Sequence, residues 1–124
     1  PEYVLKSLCD GLNKTAGALT LLAYQEKQAL GLLTAFSGFS TFKCQSLLNI
    51  HDIIVLKAYR GQGICRAMLA TLEDIARQRA CCKITLEVLE GNVAAQKVYR
   101  RSGFADYQLD PSQGRALFWQ KEIA

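Results

Sequence analysis

The chain reads as one mixed α/β domain over residues 1–124, a twisted sheet flanked by helices. Three observations predict this. An apolar strand ending at Leu56, a glycine turn and an amphipathic helix follow one another through the middle of the sequence. The elements run helix, three strands, helix, strand, helix, two strands. Short connections make the first three strands antiparallel neighbours, whereas a helix separates the third from the fourth and makes that crossover parallel. With half of its 124 residues hydrophobic, the chain is long enough to bury one core.

Pro1 to Leu12 carries Tyr3, Val4, Leu8 and Leu12 at helical spacing, and Gly11 and Asn13 mark its end. Ala18 to Tyr24 and Ala29 to Phe36 read as strands joined by the polar turn Gln25-Glu26-Lys27-Gln28. Ser37 to Phe42 reads as a loop bearing two aromatics. Ser46 to Leu56 is the third strand. From Ile64 to about Arg79 the positions Ile64, Met68, Leu69, Leu72, Ile75 and Ala76 trace one apolar helix face. Ile84 to Leu89 is a strand, Asn92 to Ser102 a helix, Phe104 to Leu109 a strand, and Ala116 to Lys121 a last strand after the turn at Pro111–Gly114. Ala80 stands just past the long helix, where a left-handed residue would cost about 1 kcal/mol in the absence of glycine.

The segment Arg60-Gly61-Gln62-Gly63-Ile64-Cys65-Arg66 carries the chemistry. Two glycines let the backbone turn sharply and leave its N–H groups free. Such groups converge with the positive end of the helix dipole, which makes an anion site. Arg60 and Arg66 bracket it with charge suited to phosphate. The segment is not a P-loop, because no Lys-Ser/Thr pair follows Gly63. It is not a dinucleotide fingerprint, because the third glycine is missing.

Composition excludes several classes. The net charge of +4 is modest, and the lysines and arginines are scattered rather than gathered with aromatics, which argues against nucleic acid. No apolar run is long enough to span a membrane, and no signal peptide is visible. The chain lacks an initiating methionine, so it reads as processed or as a fragment. Five cysteines are an odd number for a disulfide framework. With a single histidine and no Cys-x-x-Cys, no metal site is expected. The cysteines read as reduced core residues of a cytoplasmic protein, and adjacent Cys81 and Cys82 as pointing to opposite faces of a strand. Cys65, at a helix start, is placed for a lowered thiol pKa.

The turn resembles the coenzyme A loop of the GNAT superfamily of N-acetyltransferases, Gln/Arg-x-x-Gly-x-Gly/Ala, with Cys65 departing at the last position. A second segment, Asn92-Val93-Ala94-Ala95-Gln96-Lys97-Val98-Tyr99-Arg100-Arg101-Ser102-Gly103-Phe104, is similar to that family's Asn-x-x-Ala-x-x-x-Tyr-x-x-x-Gly-Phe. The resemblance covers about residues 18 to 123. It implies the GNAT acyl-CoA N-acyltransferase fold, although the family's usual opening strand and first helix are missing ahead of Ala18. The bare sheet edge this leaves favours a homodimer.

The resemblance also implies an activity: acetyl transfer from acetyl-CoA to a small-molecule primary amine, by direct attack in a ternary complex and without a metal. The N–H groups of Arg60, Gly61, Gln62, Gly63, Ile64, Cys65 and Arg66 would grip the diphosphate, and Asn92, which reads as a helix N-cap, would also touch the coenzyme. In this family the strand through Ile53, Ile54 and Val55 is bulged and splays from its parallel neighbour, so that the pantetheine lies along its open edge. Tyr99 would protonate the leaving thiolate.

His51, the lone histidine, is the candidate base, since imidazole suits proton transfer near neutrality. Strict strand alternation puts Asp52 on the opposite face, as a structural residue. Phe36, Phe39 and Phe42 would wall the acceptor pocket. The segment Asn49-Ile50-His51-Asp52-Ile53-Ile54-Val55, with Ser40-Thr41-Phe42, resembles the diamine (spermidine/spermine) acetyltransferase subgroup, where a glutamate stands in place of His51. The alternative is a catalytically silent acyl-CoA-binding or regulatory module of the same fold.

Overall fold

The computed structural model describes residues 1–123. A first helix α1 (Glu2–Lys14) leads into strands β1 (Ala18–Gln25), β2 (Gln28–Ser40) and β3 (Gln45–Val55). Helix α2 (Ile64–Gln78), strand β4 (Ile84–Leu86) and helix α3 (Val93–Arg101) follow, and short 3₁₀ turns lie at Lys57–Tyr59 and Pro111–Gln113. The four strands form one sheet in sequence order, with β1–β2 and β2–β3 antiparallel and β3–β4 parallel. The expected order and strand directions are therefore present as far as α3.

One face of the sheet carries the core. Leu33, Ala35, Leu48 and Ile50 from β2 and β3 pack against Met68, Leu69, Leu72 and Ala76 of α2. These α2 positions are the apolar stripe read from the sequence, and they bury the helix lengthwise on the sheet. Leu19, Leu21 and Ala23 of β1 extend the same face. By contrast, α1 buries none of its residues, and Tyr3, Leu5 and Leu8 stand more than half exposed.

Both helices of the crossover region end in the same way. Beyond α2, the Cys81 N–H donates to the Ala76 carbonyl (2.9 Å) and the Ala80 N–H to that of Arg77 (3.0 Å), a Schellman motif. Its left-handed residue is Ala80, at φ 55°. After α3 the pattern repeats: Phe104 donates to Tyr99 (3.0 Å) and Gly103 to Arg100 (3.1 Å), with Gly103 at φ 93°. An alanine held in this region costs about 1–2 kcal/mol, and glycine gives back about 0.4–1 kcal/mol through its freer unfolded chain. Ala80→Gly is therefore expected to stabilise the fold by about 0.5 kcal/mol, read as a raised midpoint of urea unfolding; a lowered midpoint would contradict the cap.

Several expectations are corrected. The loop expected at Ser37–Phe42 is strand as far as Ser40, because Ser37 to Ser40 continue the ladder opposite Leu48 to Gln45. The strand expected at Ile84–Leu89 stops at Leu86, where its ladder with β3 ends. The segments Phe104–Leu109 and Ala116–Lys121 are not strands. Leu109, Leu117, Phe118 and Trp119 are all more than two-thirds exposed, so no neighbour collects the apolar side chains that suggested strands there. Cys81 and Cys82 precede β4 and are not strand residues, so the two-face alternation does not apply to them.

Candidate active site

Pairing between β3 and β4 runs from Leu48–Ile84 to Ile50–Leu86 and ends there. β3 continues through Asp52–Val55 paired with β2 but, among the described residues, with no strand on its β4 edge, so a wedge opens past the last β3–β4 pair. Its apex is clipped by Asn49, whose Nδ2 donates to Thr85 Oγ1 at 2.8 Å. Asn49 has no sequence signature of its own; it becomes visible only once the register pairs it with Thr85.

At the apex, β3 also bulges against β2. Ala35 pairs with Ile50 and Thr34 with Asp52, leaving His51 as the extra residue. This resets the alternation. Ile50 and Ile53 both belong to the core-facing side, and Asp52 joins Thr34 on the other. His51 is on that outer side too, with its ring edge-on to Phe36 at 4.6 Å between centroids. The placement of Asp52 opposite His51 is thus corrected: both exposed side chains stand on one face, at the point where β3 loses β4. A bulge adds one residue without altering the composition of the strand, so strict alternation misplaces everything on one side of it.

The structure does not gather the three phenylalanines. Phe36 meets His51, whereas Phe39 lies three residues on along an unbroken ladder and so on the other face. Phe42 is in the turn after β2 and 80 % exposed.

At its far end β3 passes through the Lys57–Tyr59 turn into the glycines. The Arg60 Nε–H donates to the Val55 carbonyl at 3.0 Å, tying the turn back to the strand end. Tyr59 Oη donates to Gln28 Oε1 at 3.2 Å. Gly61 and Gly63 take φ of 77° and 83°, which a side chain would resist. The first backbone bond of α2 runs from the Ala67 N–H to the Gly63 carbonyl (3.0 Å). Among the described residues no backbone carbonyl accepts from the N–H groups of Gly61 to Arg66, and no side chain caps the helix. Six successive donors therefore lie unpaired at the positive end of α2, beside the open edge of β3.

Cys65 sits in that first turn, half-buried against the core cluster. Burial pushes its thiol pKa up, which corrects the expectation of a lowered one: a half-buried thiolate loses hydration. Tyr99 is near enough that burial first, and the charge on Cys65 second, raise its own pKa above 10.0.

The α3 segment explains why Tyr99 holds its place. Asn92 Oδ1 accepts from the Ala95 N–H (3.2 Å) as N-cap, so this side chain is committed to the helix start. Gln96 Nε2 donates to the carbonyls of Leu89 (3.0 Å) and Glu90 (2.7 Å), which fixes the loop leading in. At the other end Phe104 packs edge-on against Tyr99, with ring centroids 6.0 Å apart, closing the Schellman motif. The spacing Asn92…Ala95…Tyr99…Gly103-Phe104 is therefore a doubly capped helix that presents one phenol.

Residues 1–104 match the model of the acetyltransferase (GNAT) family. The chain belongs to this family. Over 88 residues it is 39 % identical to streptothricin acetyltransferase of Streptomyces lavendulae, covering 69 % of this chain and 47 % of the relative. Over 109 residues it is 28 % identical to an aminoglycoside N(6′)-acetyltransferase type 1 of Acinetobacter haemolyticus, covering 86 % of this chain and 71 % of the relative. The match spans less than half the length of several of these curated relatives, 47 % and 41 % of two of them. Among solved GNAT-fold structures, apo aminoglycoside 6′-N-acetyltransferase AAC(6′)-Ig of Acinetobacter haemolyticus superposes with a TM-score of 0.77 at 24 % identity, covering 100 % of this chain and 83 % of that one. AAC(6′)-Iy, solved with a bisubstrate analogue of CoA and acetylneamine, superposes with a TM-score of 0.78 at 18 % identity, covering 99 % and 82 %. The mixed α/β fold expected from the sequence is thus that of the GNAT acetyltransferases.

Proposed function

We propose that the chain is an acetyl-CoA-dependent N-acetyltransferase that moves an acetyl group to a small-molecule primary amine by direct attack in a ternary complex. The observation that carries this reading is the run of six unpaired N–H groups from Gly61 to Arg66, set against the unpaired edge of β3. The first suits a diphosphate and the second an amide-bearing arm lying alongside as a short strand. The names of the streptothricin and aminoglycoside relatives support an amine acceptor. Acetyl-CoA is the donor in this reading, and no metal takes part.

In the reaction the diphosphate rests on the turn, flanked by Arg60 and Arg66, and the pantetheine lies along Ile53, Ile54 and Val55. An N–H of that edge polarises the thioester oxygen as the amine attacks. His51 takes the proton of the acceptor ammonium, directly or through water. Asp52, on the same face, draws cationic acceptors to the wedge. As the C–S bond breaks, Tyr99 gives its proton to the departing thiolate, and the second proton shed by the new amide nitrogen restores the phenol through water. The likeness of residues 49–55 to the diamine acetyltransferases, together with a thialysine N-ε-acetyltransferase of Bos taurus 31 % identical over 71 residues, supports acceptors with more than one amine. Five free cysteines support a reducing, cytoplasmic setting.

The test is thiol release from acetyl-CoA with a panel of primary amines that includes spermidine and an aminoglycoside. Amine-dependent release is expected; coenzyme binding with no release for any amine would instead assign a silent acyl-CoA-binding module. In the active case, His51→Ala should lower kcat/KM by about 10²-fold with coenzyme affinity unchanged. Asp52→Asn should raise KM for dicationic amines by up to about 5-fold, as an exposed charge pair of about 1 kcal/mol implies, and leave monoamines unchanged. Equal changes for both amine types would remove Asp52 from acceptor binding.

A further inference from the structure

A cavity of about 630 Å³ lies on the flank of α2, away from the wedge, between that helix, residues 81–84 and residues 101–105. It shares only Arg66 with the coenzyme turn, and neither Tyr99 nor any residue of β3 lines it. Its volume is that of a small-molecule site.

Charge in this cavity is one-sided. Arg66, Arg77, Lys83 and Arg101 face it, and Glu73 is the single carboxylate in its lining. Glu73 is already held by Arg77, which also pairs with Asp74 at 3.2 Å. Among the described residues Arg66, Lys83 and Arg101 have no carboxylate partner. These three cations come from three separate segments, so this is not the solvated face of one helix. Lys83 is also steered by the Tyr107 ring, which lies 5.0 Å below its ammonium. Between the cations the lining is half apolar, with Ile84 of β4 and Phe104 among its apolar members. Gathering cations around one opening costs repulsion, and an anion relieves it.

We propose that this cavity binds a small organic anion, a phosphate or carboxylate group on a flat apolar body, independently of the coenzyme turn. The anionic group meets Lys83 and Arg101, and the apolar body lies on Ile84 and Phe104.

The experiment is a fluorescence titration of the full 124-residue chain with 1-naphthyl phosphate in the presence of saturating coenzyme A. Saturable binding is expected, with neutral 1-naphthol at least tenfold weaker. The double variant K83Q/R101Q should weaken the probe at least tenfold and leave coenzyme A affinity unchanged, while K83R/R101K should bind as the original chain does. Matching thermal melts would establish that both variants are folded. Displacement of the probe by coenzyme A would assign the anion to the Gly61–Arg66 turn and overturn the proposal. So would equal binding of 1-naphthol, wild-type affinity in K83Q/R101Q, or no saturable binding at all.

Discussion

Replacing Tyr99 with phenylalanine is expected to lower turnover by about 10²-fold while changing coenzyme affinity by less than about twofold. The substitution removes one oxygen and keeps the ring. The ring is what packs against Phe104 and the core cluster, so the helix and its two caps stay in place. In the proposed reaction the leaving thiolate of coenzyme A then loses its proton donor, and a positioned acid contributes about 10²–10⁴-fold. Steady-state kinetics and coenzyme titration on the same samples separate the two effects. Loss of coenzyme affinity with unchanged turnover would make Tyr99 a packing residue.

The direction of the pKa shift makes a second part of this prediction. Burial and the neighbouring Cys65 charge both disfavour the phenolate, so Tyr99 keeps its proton to a pH above 10.0. The acid form is the one the proposed reaction needs. The alkaline fall in turnover caused by Tyr99 therefore lies above the ordinary tyrosine range, and Tyr99→Phe abolishes it. Linkage gives the same sign for stability: the folded chain binds this proton more tightly than the unfolded one. The contribution is constant below the ordinary value and declines as pH rises through it.

The parts of this site that were legible in the sequence are the ones made by local chemistry. Gly61 and Gly63 need left-handed φ whatever surrounds them, and Asn92, Gly103 and Phe104 cap a helix through contacts only a few residues long. The α2 stripe was legible because a period of 3.6 survives any packing partner. What escaped depends on distant pairing. The bulge at His51 exists only relative to Thr34 and Ala35, so Asp52 changed face and the Asn49–Thr85 clip went unseen. Extension of β2 to Ser40 likewise depends on what stands opposite it in β3. At Cys65 the sequence shows a helix start but not the burial that raises the thiol pKa. The segments after Phe104 have strand-like composition, but strand formation needs a partner edge, and composition does not report one.

The largest effect on stability is expected at Gly31, a position whose importance comes from α2 rather than from its own strand. A Cβ built there would lie 3.1 Å from Met68 Cε, 3.2 Å from the Ile54 carbonyl oxygen and 3.2 Å from Ile64 Cγ2. The methionine end can move aside, but the carbonyl belongs to β3 and Ile64 opens α2. Gly31→Ala presses on these three atoms. Gly31→Val adds two further methyl groups and has to push the first turn of α2 away from the sheet. Overpacking of this kind costs about 1–3 kcal/mol, so the alanine should fall at the low end and the valine at the high end or beyond. Urea unfolding of the pair reads this directly. The same displacement moves Ile64 to Arg66, and with them the free N–H groups beside the open edge of β3. Coenzyme affinity should therefore fall in step with stability along the series glycine, alanine, valine, under conditions where each variant is still folded. A series in which stability falls and coenzyme affinity stays level would show that the turn holds its shape without the support of β2, and that Arg60, tied to the Val55 carbonyl, anchors it alone.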